Sequence, residues 1–180
     1  MSDVQIQNVV AVATLNQRID LLAIMKVFRN VEYRPTKFPG LVFRLKNPKT
    51  ATLIFSSGKM VCTGSRSEKM AHSAITKVVR ELRGAGFIIP REPEIIITNM
   101  VATADVGGGV DLEMAMEMLD NIMYEPEQFP GAVYRMEEPR VVILIFSTGK
   151  LVLTGAKRAE QIHEAAEKMR VLLLDNELLF

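Results

Sequence analysis

The side chains of this sequence with the capacity for covalent chemistry stand alone. His72 and His163 occupy equivalent places in two helical stretches, far in sequence from any nucleophile, and both read as solvent-facing or satisfied histidines rather than acid–base groups. Cys62 is the single cysteine. It excludes an internal disulfide and a cysteine-cluster metal site, fits a reducing compartment, and reads as a small buried hydrophobe. Ser57, Gly58 and Lys59 share the ending of a phosphate-binding loop, but Leu53 stands where its first glycine must be and Met60 replaces the required Ser or Thr. Gly107, Gly108 and Gly109 form a loop rather than a dinucleotide fingerprint. The chain is therefore expected not to be an enzyme and to use no cofactor or metal. What remains is non-covalent chemistry by cations at strand ends and turns: Lys37, Arg44, Lys46, Lys49, Lys59 and Arg66, then Arg135, Arg140, Lys150 and Lys157. Any one of these alone is a solvated surface charge; a recurrence at fixed spacing singles out the set.

That spacing is 91 residues. LIFSSGK at 53–59 returns as LIFSTGK at 144–150. The same offset carries Asn8 onto Asn99, Asp20 onto Asp111, Tyr33 onto Tyr124, Arg44 onto Arg135, and His72 onto His163. It also carries Phe38-Pro39-Gly40 onto Phe129-Pro130-Gly131 and Thr63-Gly64 onto Thr154-Gly155. The period is too long for a solenoid unit. It predicts two tandem repeats, 1–91 and 92–180, related by approximate two-fold symmetry. The 180 residues are 48% hydrophobic, enough for a packed core. No apolar run approaches the ~18 residues of a membrane span, and MSDVQIQN lacks the charged and apolar regions of a leader, so an intracellular, soluble protein without a membrane partner is expected. The net charge of +1 hides an asymmetry: 14 Lys/Arg against 5 Asp/Glu in 1–90, and 8 against 16 in 91–180. A basic and an acidic half suggest different partners.

The elements that position these residues follow from periodicity. Residues 5–13 are β-rich. Asp20 has the place of an N-cap for a short helix with Leu21, Ile24, Met25 and Phe28 on one face. Pro35 and Pro39-Gly40 interrupt the next segment, which should be an edge strand or loop. Strands are expected at 40–46 and 50–55 around the turn Asn47-Pro48, and Ser57-Gly58 should close a hairpin into 60–64. Ser65 and Glu68 have capping-box spacing and should open a longer helix with Met70, Ala74, Val78 and Leu82 buried, ending near Gly84 and Gly86. Each repeat is thus strand, helix, four strands, helix.

Strand alternation leaves a surplus apolar face. Leu53 and Phe55 point away from Thr52 and Ile54, Val61 away from Met60 and Cys62, and Asn8 and Val10 away from Val9 and Ala11. Both faces are largely apolar, and VVILIF at 141–146 has no polar residue. Two helices per repeat cover one face only. The other is a binding surface, or else a second core layer in a sandwich or dimer. An apolar floor bordered by cations suits the minor groove of DNA, where sugars and base edges lie between two phosphate rails.

At these residues the sequence resembles the TATA-box-binding protein family of archaeal and eukaryotic transcription initiation. The resemblance covers about residues 4–172 and rests on the two LIFS(S/T)GK segments with their CTG and LTG continuations, on YRPTKFPG and YEPEQFPG, and on the paired Asn-x-Val. The family is a standard illustration of minor-groove binding with wedge side chains. The resemblance implies an α+β saddle, a curved antiparallel sheet with its helices on the convex face. It implies intercalating pairs Phe38 with Phe55 and Phe129 with Phe146. It further implies groove contacts from Asn8, Val10, Leu53, Val61 and Thr63, and from Asn99, Val101, Leu144, Val152 and Thr154. Phosphate contacts are implied for Arg44, Lys49, Lys59, Arg66, Arg135, Arg140, Lys150 and Lys157. Physically, A·T pairs offer only acceptors in the minor groove, which Asn amides and Thr hydroxyls can satisfy, whereas a Val/Leu floor leaves the guanine amino group unpaired.

The resemblance also implies that the loop 124–131 binds transcription factor B, with Glu125 and Glu127 as the candidates, and through it RNA polymerase. The expected partners are double-stranded A·T-rich promoter DNA bound by a monomer, with a homodimer open to the free protein, in an archaeal cytoplasm at the nucleoid, or a nucleus if eukaryotic. Departures are expected to act locally. Gly107, Gly108 and Gly109 should give a flexible turn, the apolar 172–180 should pack or self-associate, and Ala132 in place of Leu41 should trim volume beside one Phe pair. The alternative is a divergent paralogue whose apolar face binds protein or an apolar ligand without DNA.

Overall fold

A computed structural model describes residues 3–180; Met1 and Ser2, part of the N-terminal stretch MSDVQIQN, lie outside the described residues. The chain divides into two compact units, one of Asn8–Thr98 and the other of Asn99–Phe180 with the N-terminal segment up to Gln7.

The first repeat runs β1 (Gln5–Thr14), α1 (Leu21–Val27), β2 (Val31–Tyr33), β3 (Leu41–Lys46), β4 (Lys49–Ile54), β5 (Lys59–Ser65) and α2 (Glu68–Gly84). Its strands are antiparallel, in the order β2-β3-β4-β5-β1. Val9, Ala11, Phe43, Ile54, Met60 and Cys62 are fully buried on one face. Against them α2 buries Ala71, Ala74, Ile75, Val78, Val79 and Leu82. Each larger aliphatic contributes about 1.5–3 kcal/mol on leaving water. The second repeat runs β6 (Ile95–Asp105), α3 (Leu112–Met118), β7 (Ile122–Met123), β8 (Ala132–Met136), β9 (Val141–Ile145), β10 (Lys150–Ala156) and α4 (Ala159–Asp175). Its order is β6-β10-β9-β8-β7. Strand, helix, four strands, helix is therefore the element order of both. Among the described residues no helix is long and apolar enough to cross a membrane.

Local chemistry sets most boundaries. Asp20 caps α1 by accepting from the Ala23 N–H at 3.1 Å, and Asp111 caps α3 through Met114 N–H at 3.0 Å. Glycines 64 and 155, at φ +96° and +102°, take the left-handed conformation where β5 and β10 slip register against β1 and β6. Each is a β-bulge that only glycine enters without strain.

Several expectations are corrected. The N-cap of α2 is Ser67, whose Oγ accepts from Met70 N–H at 3.0 Å; Ser65 is buried in β5, so its spacing to Glu68 is coincidental. Met70 is only half-buried, and the buried stripe runs through Ala71, Ile75 and Val79 as well as Ala74, Val78 and Leu82. Met25 points outward because α1 stops after seven residues, and Phe28 instead packs edge-on against Phe43 at 5.0 Å. Leu41 and Ala132 are fully buried on the helix-covered face, opposite Ile54 and Ile145, so the exchange trims the core and not the surroundings of a Phe pair. The glycine loop 107–109 is held by 178–180: Gly109 and Phe180 exchange backbone hydrogen bonds at 2.9 Å in both directions. The apolar segment packs, and the loop is pinned.

Candidate nucleic-acid interface

The face not covered by helices is organised in cross-strand rows. In the first unit Val42, Leu53, Val61 and Val12 are successive partners across β3, β4, β5 and β1. In the second, Val133, Leu144, Val152 and Thr103 form the same row. All eight are partly exposed, while their strand neighbours Phe43, Ile54, Met60, Ile143, Ile145 and Leu151 are fully buried. Alternation along the strands thus separates a floor from a core. Val10 and Val101 are partly exposed on the same faces.

A second row carries the polar groups. Arg44, Ala51 and Thr63 are cross-strand partners, as are Arg135, Val142, Thr154 and Val101. Beside Thr63, Asn8 Oδ1 accepts from the Gly64 backbone N–H at 2.7 Å and Nδ2 donates to Thr63 Oγ1 at 3.0 Å. Asn99 repeats this with Gly155 N–H at 2.7 Å and Thr154 Oγ1 at 3.4 Å. A backbone N–H can only donate, so the amide atom facing the bulge must be oxygen, and the amide orientation is settled by chemistry. Each Asn amino group keeps one proton free. Each Thr hydroxyl also donates back to its Asn, from Thr63 Oγ1 to Asn8 Oδ1 and from Thr154 Oγ1 to Asn99 Oδ1, both at a long 3.4 Å. Each cluster therefore presents one free amide N–H as a donor.

The aromatic pairs stand on loops and turns beside the floor. Phe38 and Phe55 meet edge-to-face with centroids 5.9 Å apart, and Phe129 and Phe146 do so at 5.8 Å. Phe38 is 41% and Phe129 39% exposed, large values for rings already paired. A glycine lies against both rings of each pair, where a side chain would push them from their present positions. A Cβ on Gly40 would stand 2.7 Å from Phe38 Cε2 and 3.0 Å from Phe55 Cε1; on Gly131 it would stand 2.9 Å from Phe129 Cε2 and 3.0 Å from Phe146 Cε1. From the sequence Gly40 is only part of a chain break, and Gly131, Gly64 and Gly155 have no individual role, although the repeated FPG and TG segments mark all four. Val42 and Val133 likewise have no individual role from the sequence.

The heptad glycines have their own reason. Gly58 has φ +93° and its missing Cβ would lie 2.1 Å from the Gln17 carbonyl oxygen; Gly149 has φ +95° and would meet that of Gly108 at 2.0 Å. Each turn is pressed against the preceding loop and aims the Phe three residues earlier.

The cations Arg44, Lys49, Lys59, Arg66, Arg135, Arg140, Lys150 and Lys157 are all exposed. Arg44 lies 3.7 Å from Glu32, which also pairs with Arg34 at 3.4 Å. Position 123, which matches Glu32, is Met, and no carboxylate pairs with Arg135 among the described residues. Arg135 and Arg140 line an open groove of about 770 Å³ with Val142, Thr154 and Gly155. Glu125 and Glu127 are exposed in the loop before Phe129, where the Glu125 carbonyl accepts from Phe129 N–H at 3.0 Å. Cys62 is buried, and His72 and His163 are exposed on α2 and α4.

A family model described as transcription factor TFIID (or TATA-binding protein, TBP) matches this chain twice, over 3–85 and 94–175. The chain is 51% identical over 166 residues to the TATA-box-binding protein of Sulfurisphaera tokodaii, covering 92% of this chain and 84% of the relative. It is 47% identical over 177 residues to that of Methanothermobacter thermautotrophicus, covering 98% of each. Among solved structures it is similar to Methanococcus jannaschii TBP, with a TM-score of 0.86 and 46% identity over 96% of this chain and 99% of the other.

Proposed function

The chain belongs to the TATA-binding protein family, a family of DNA-binding transcription factors and not of enzymes, and on that premise we propose that it starts transcription by binding the minor groove of A·T-rich promoter DNA. The observation that carries the reading is the Asn–Gly clamp, Asn8 on Gly64 and Asn99 on Gly155. It presents amide donors to a groove whose A·T pairs offer only acceptors. The guanine amino group would meet donors or the Val10, Leu53, Val61, Val101, Leu144 and Val152 floor, and would lose its own partner. Each discriminating contact contributes about 1–3 kcal/mol.

In this reading Phe38 with Phe55, and Phe129 with Phe146, wedge into base steps and bend the duplex. Unstacking costs a few kcal/mol, offset by the wider contact that bending permits. The eight exposed cations neutralise phosphates along both rails. The acidic loop with Glu125 and Glu127 receives transcription factor B, which brings RNA polymerase, and the protein works at the chromosome in an archaeal cytoplasm. The test is a mobility shift with an A·T-rich TATA duplex and a G·C-substituted control, with and without transcription factor B. The expected result is selective binding of the first, weakening steeply with salt. Equal affinity for both duplexes overturns the sequence-selective reading, and an unchanged ternary complex after Glu125→Gln with Glu127→Gln overturns the loop assignment.

A further inference from the structure

Groove contacts do not explain why Gly107, Gly108 and Gly109 follow one another. At the matching positions the first repeat has Asn16, Gln17 and Arg18. Gly107 shares its need with Asn16: both have positive φ, 91° and 56°. Gly108 and Gly109 answer to a different neighbour. A Cβ on Gly108 would lie 2.9 Å from the Phe180 carbonyl oxygen, and one on Gly109 would lie 2.7 Å from Phe180 Cε2. Phe180 lays its backbone and its ring on these two residues although it is 83% exposed. The other side of the loop touches the wedge-bearing turn, where the Gly108 carbonyl oxygen fills the space a Gly149 Cβ would need.

Hydrogen bonds run through the same stack. Phe180 N–H donates to Gly109 O and Gly109 N–H to Phe180 O, each at 2.9 Å, and Asp111 N–H donates to Leu178 O at 3.0 Å. Val110 N–H donates to Ser147 O at 2.9 Å, and Val106 N–H to Gly149 O at 3.0 Å. Gly149 N–H closes the turn on Phe146 O at 2.9 Å. Leu178 is buried and anchors the segment. In the first repeat the Gln17 side-chain amide donates to the Ile88 carbonyl, and among the described residues 16–20 exchange no backbone hydrogen bond with 87–89. The strap is a property of the second repeat alone.

We propose that residues 178–180 position the ring of Phe146 by clamping the glycine loop against the 147–149 turn, with Phe180 as the positioning residue. The use of that ring as a wedge rests on the DNA reading above; its placement does not. The test puts 4-fluorophenylalanine at position 146 or, as an internal control, at 55, and compares the fluorine resonances of the full chain with and without Phe180→Ala. The expected result is a shifted and broadened signal at 146, an unchanged one at 55, and recovery in Phe180→Tyr. On an A·T-rich duplex with donor and acceptor dyes at its ends, Phe180→Ala should dissociate about fivefold faster, since weakened interfaces act mainly on the off-rate. An unchanged resonance at 146, or equal change at 55, overturns the proposal. If the unaltered protein does not bend the duplex, the DNA reading falls while the fluorine comparison still decides the clamp.

Discussion

Asn8 Oδ1 and the backbone N–H of Gly64 are joined by a 2.7 Å hydrogen bond, so a bulge in one strand fixes the direction of an amide on its neighbour. The oxygen of the side chain holds the bulge, and in the proposed function its nitrogen faces the groove. Asn8→Asp keeps the acceptor and removes the donor, and should fold normally while losing about 1–3 kcal/mol of A·T discrimination. Asn8→Ala leaves the Gly64 N–H without its side-chain acceptor and should cost stability as well, on the order of 1 kcal/mol. Urea titration beside fluorescence anisotropy on A·T and G·C duplexes separates the two.

Gly40→Ala should leave the fold intact and disable a wedge. The new methyl would meet Phe38 Cε2 at 2.7 Å, and an exposed ring yields more easily than a core does. We expect about tenfold weaker binding, near 1.4 kcal/mol, and a smaller bend by energy transfer between duplex ends. An unaltered bend would show that the rings tolerate displacement.

Gly58→Ala acts on stability instead. It places a Cβ at φ +93° and 2.1 Å from the Gln17 carbonyl oxygen, so the loop and the turn must part. A loss of about 3 kcal/mol or more is expected in chemical denaturation, from strain and displacement together. Gly84, with nothing within 4 Å of its missing Cβ, is the contrast. At the end of α2, Gly84→Ala should stabilise by about 0.5–1 kcal/mol.

The Glu32 carboxylate pairs with both Arg34 and Arg44, the second of which is a proposed phosphate contact. Glu32→Gln frees Arg34 and Arg44 and should tighten duplex binding at low salt by about twofold to fivefold, the range of exposed ion pairs. Arg135→Ala should lower the slope of log affinity against log salt by about one. A salt series by anisotropy measures both.

Much of this was legible because duplication doubles every signal. The 91-residue offset identified the heptads, the FPG loops and the Asn and Thr positions, and strand alternation separated Leu53 from Ile54 and Val61 from Met60 before any coordinate. Features set by close approach were not legible. Gly40, Gly64 and Gly131 look like ordinary turn glycines until the neighbouring ring or carboxamide is in place. The run 107–109 reads as slack because Phe180, its contact, is some seventy positions away. Ser65 and Ser67 offer equal capping chemistry, and only the burial of Ser65 in β5 decides between them. Met25 matched helical periodicity, but a seven-residue helix has too few turns for periodicity to decide its faces.

The edge-to-face arrangement of Phe38 on Phe55 and of Phe129 on Phe146 is held by contacts within the chain itself. Restricting such a side chain at an interface costs about 0.5–1.5 kcal/mol. Here that loss of rotamer freedom is incurred once, when the molecule folds, rather than at every encounter with a duplex. If the pairs wedge into base steps as proposed, the pliancy of the step should limit each encounter, and sequences that unstack readily should be favoured even where no side chain reads their edges.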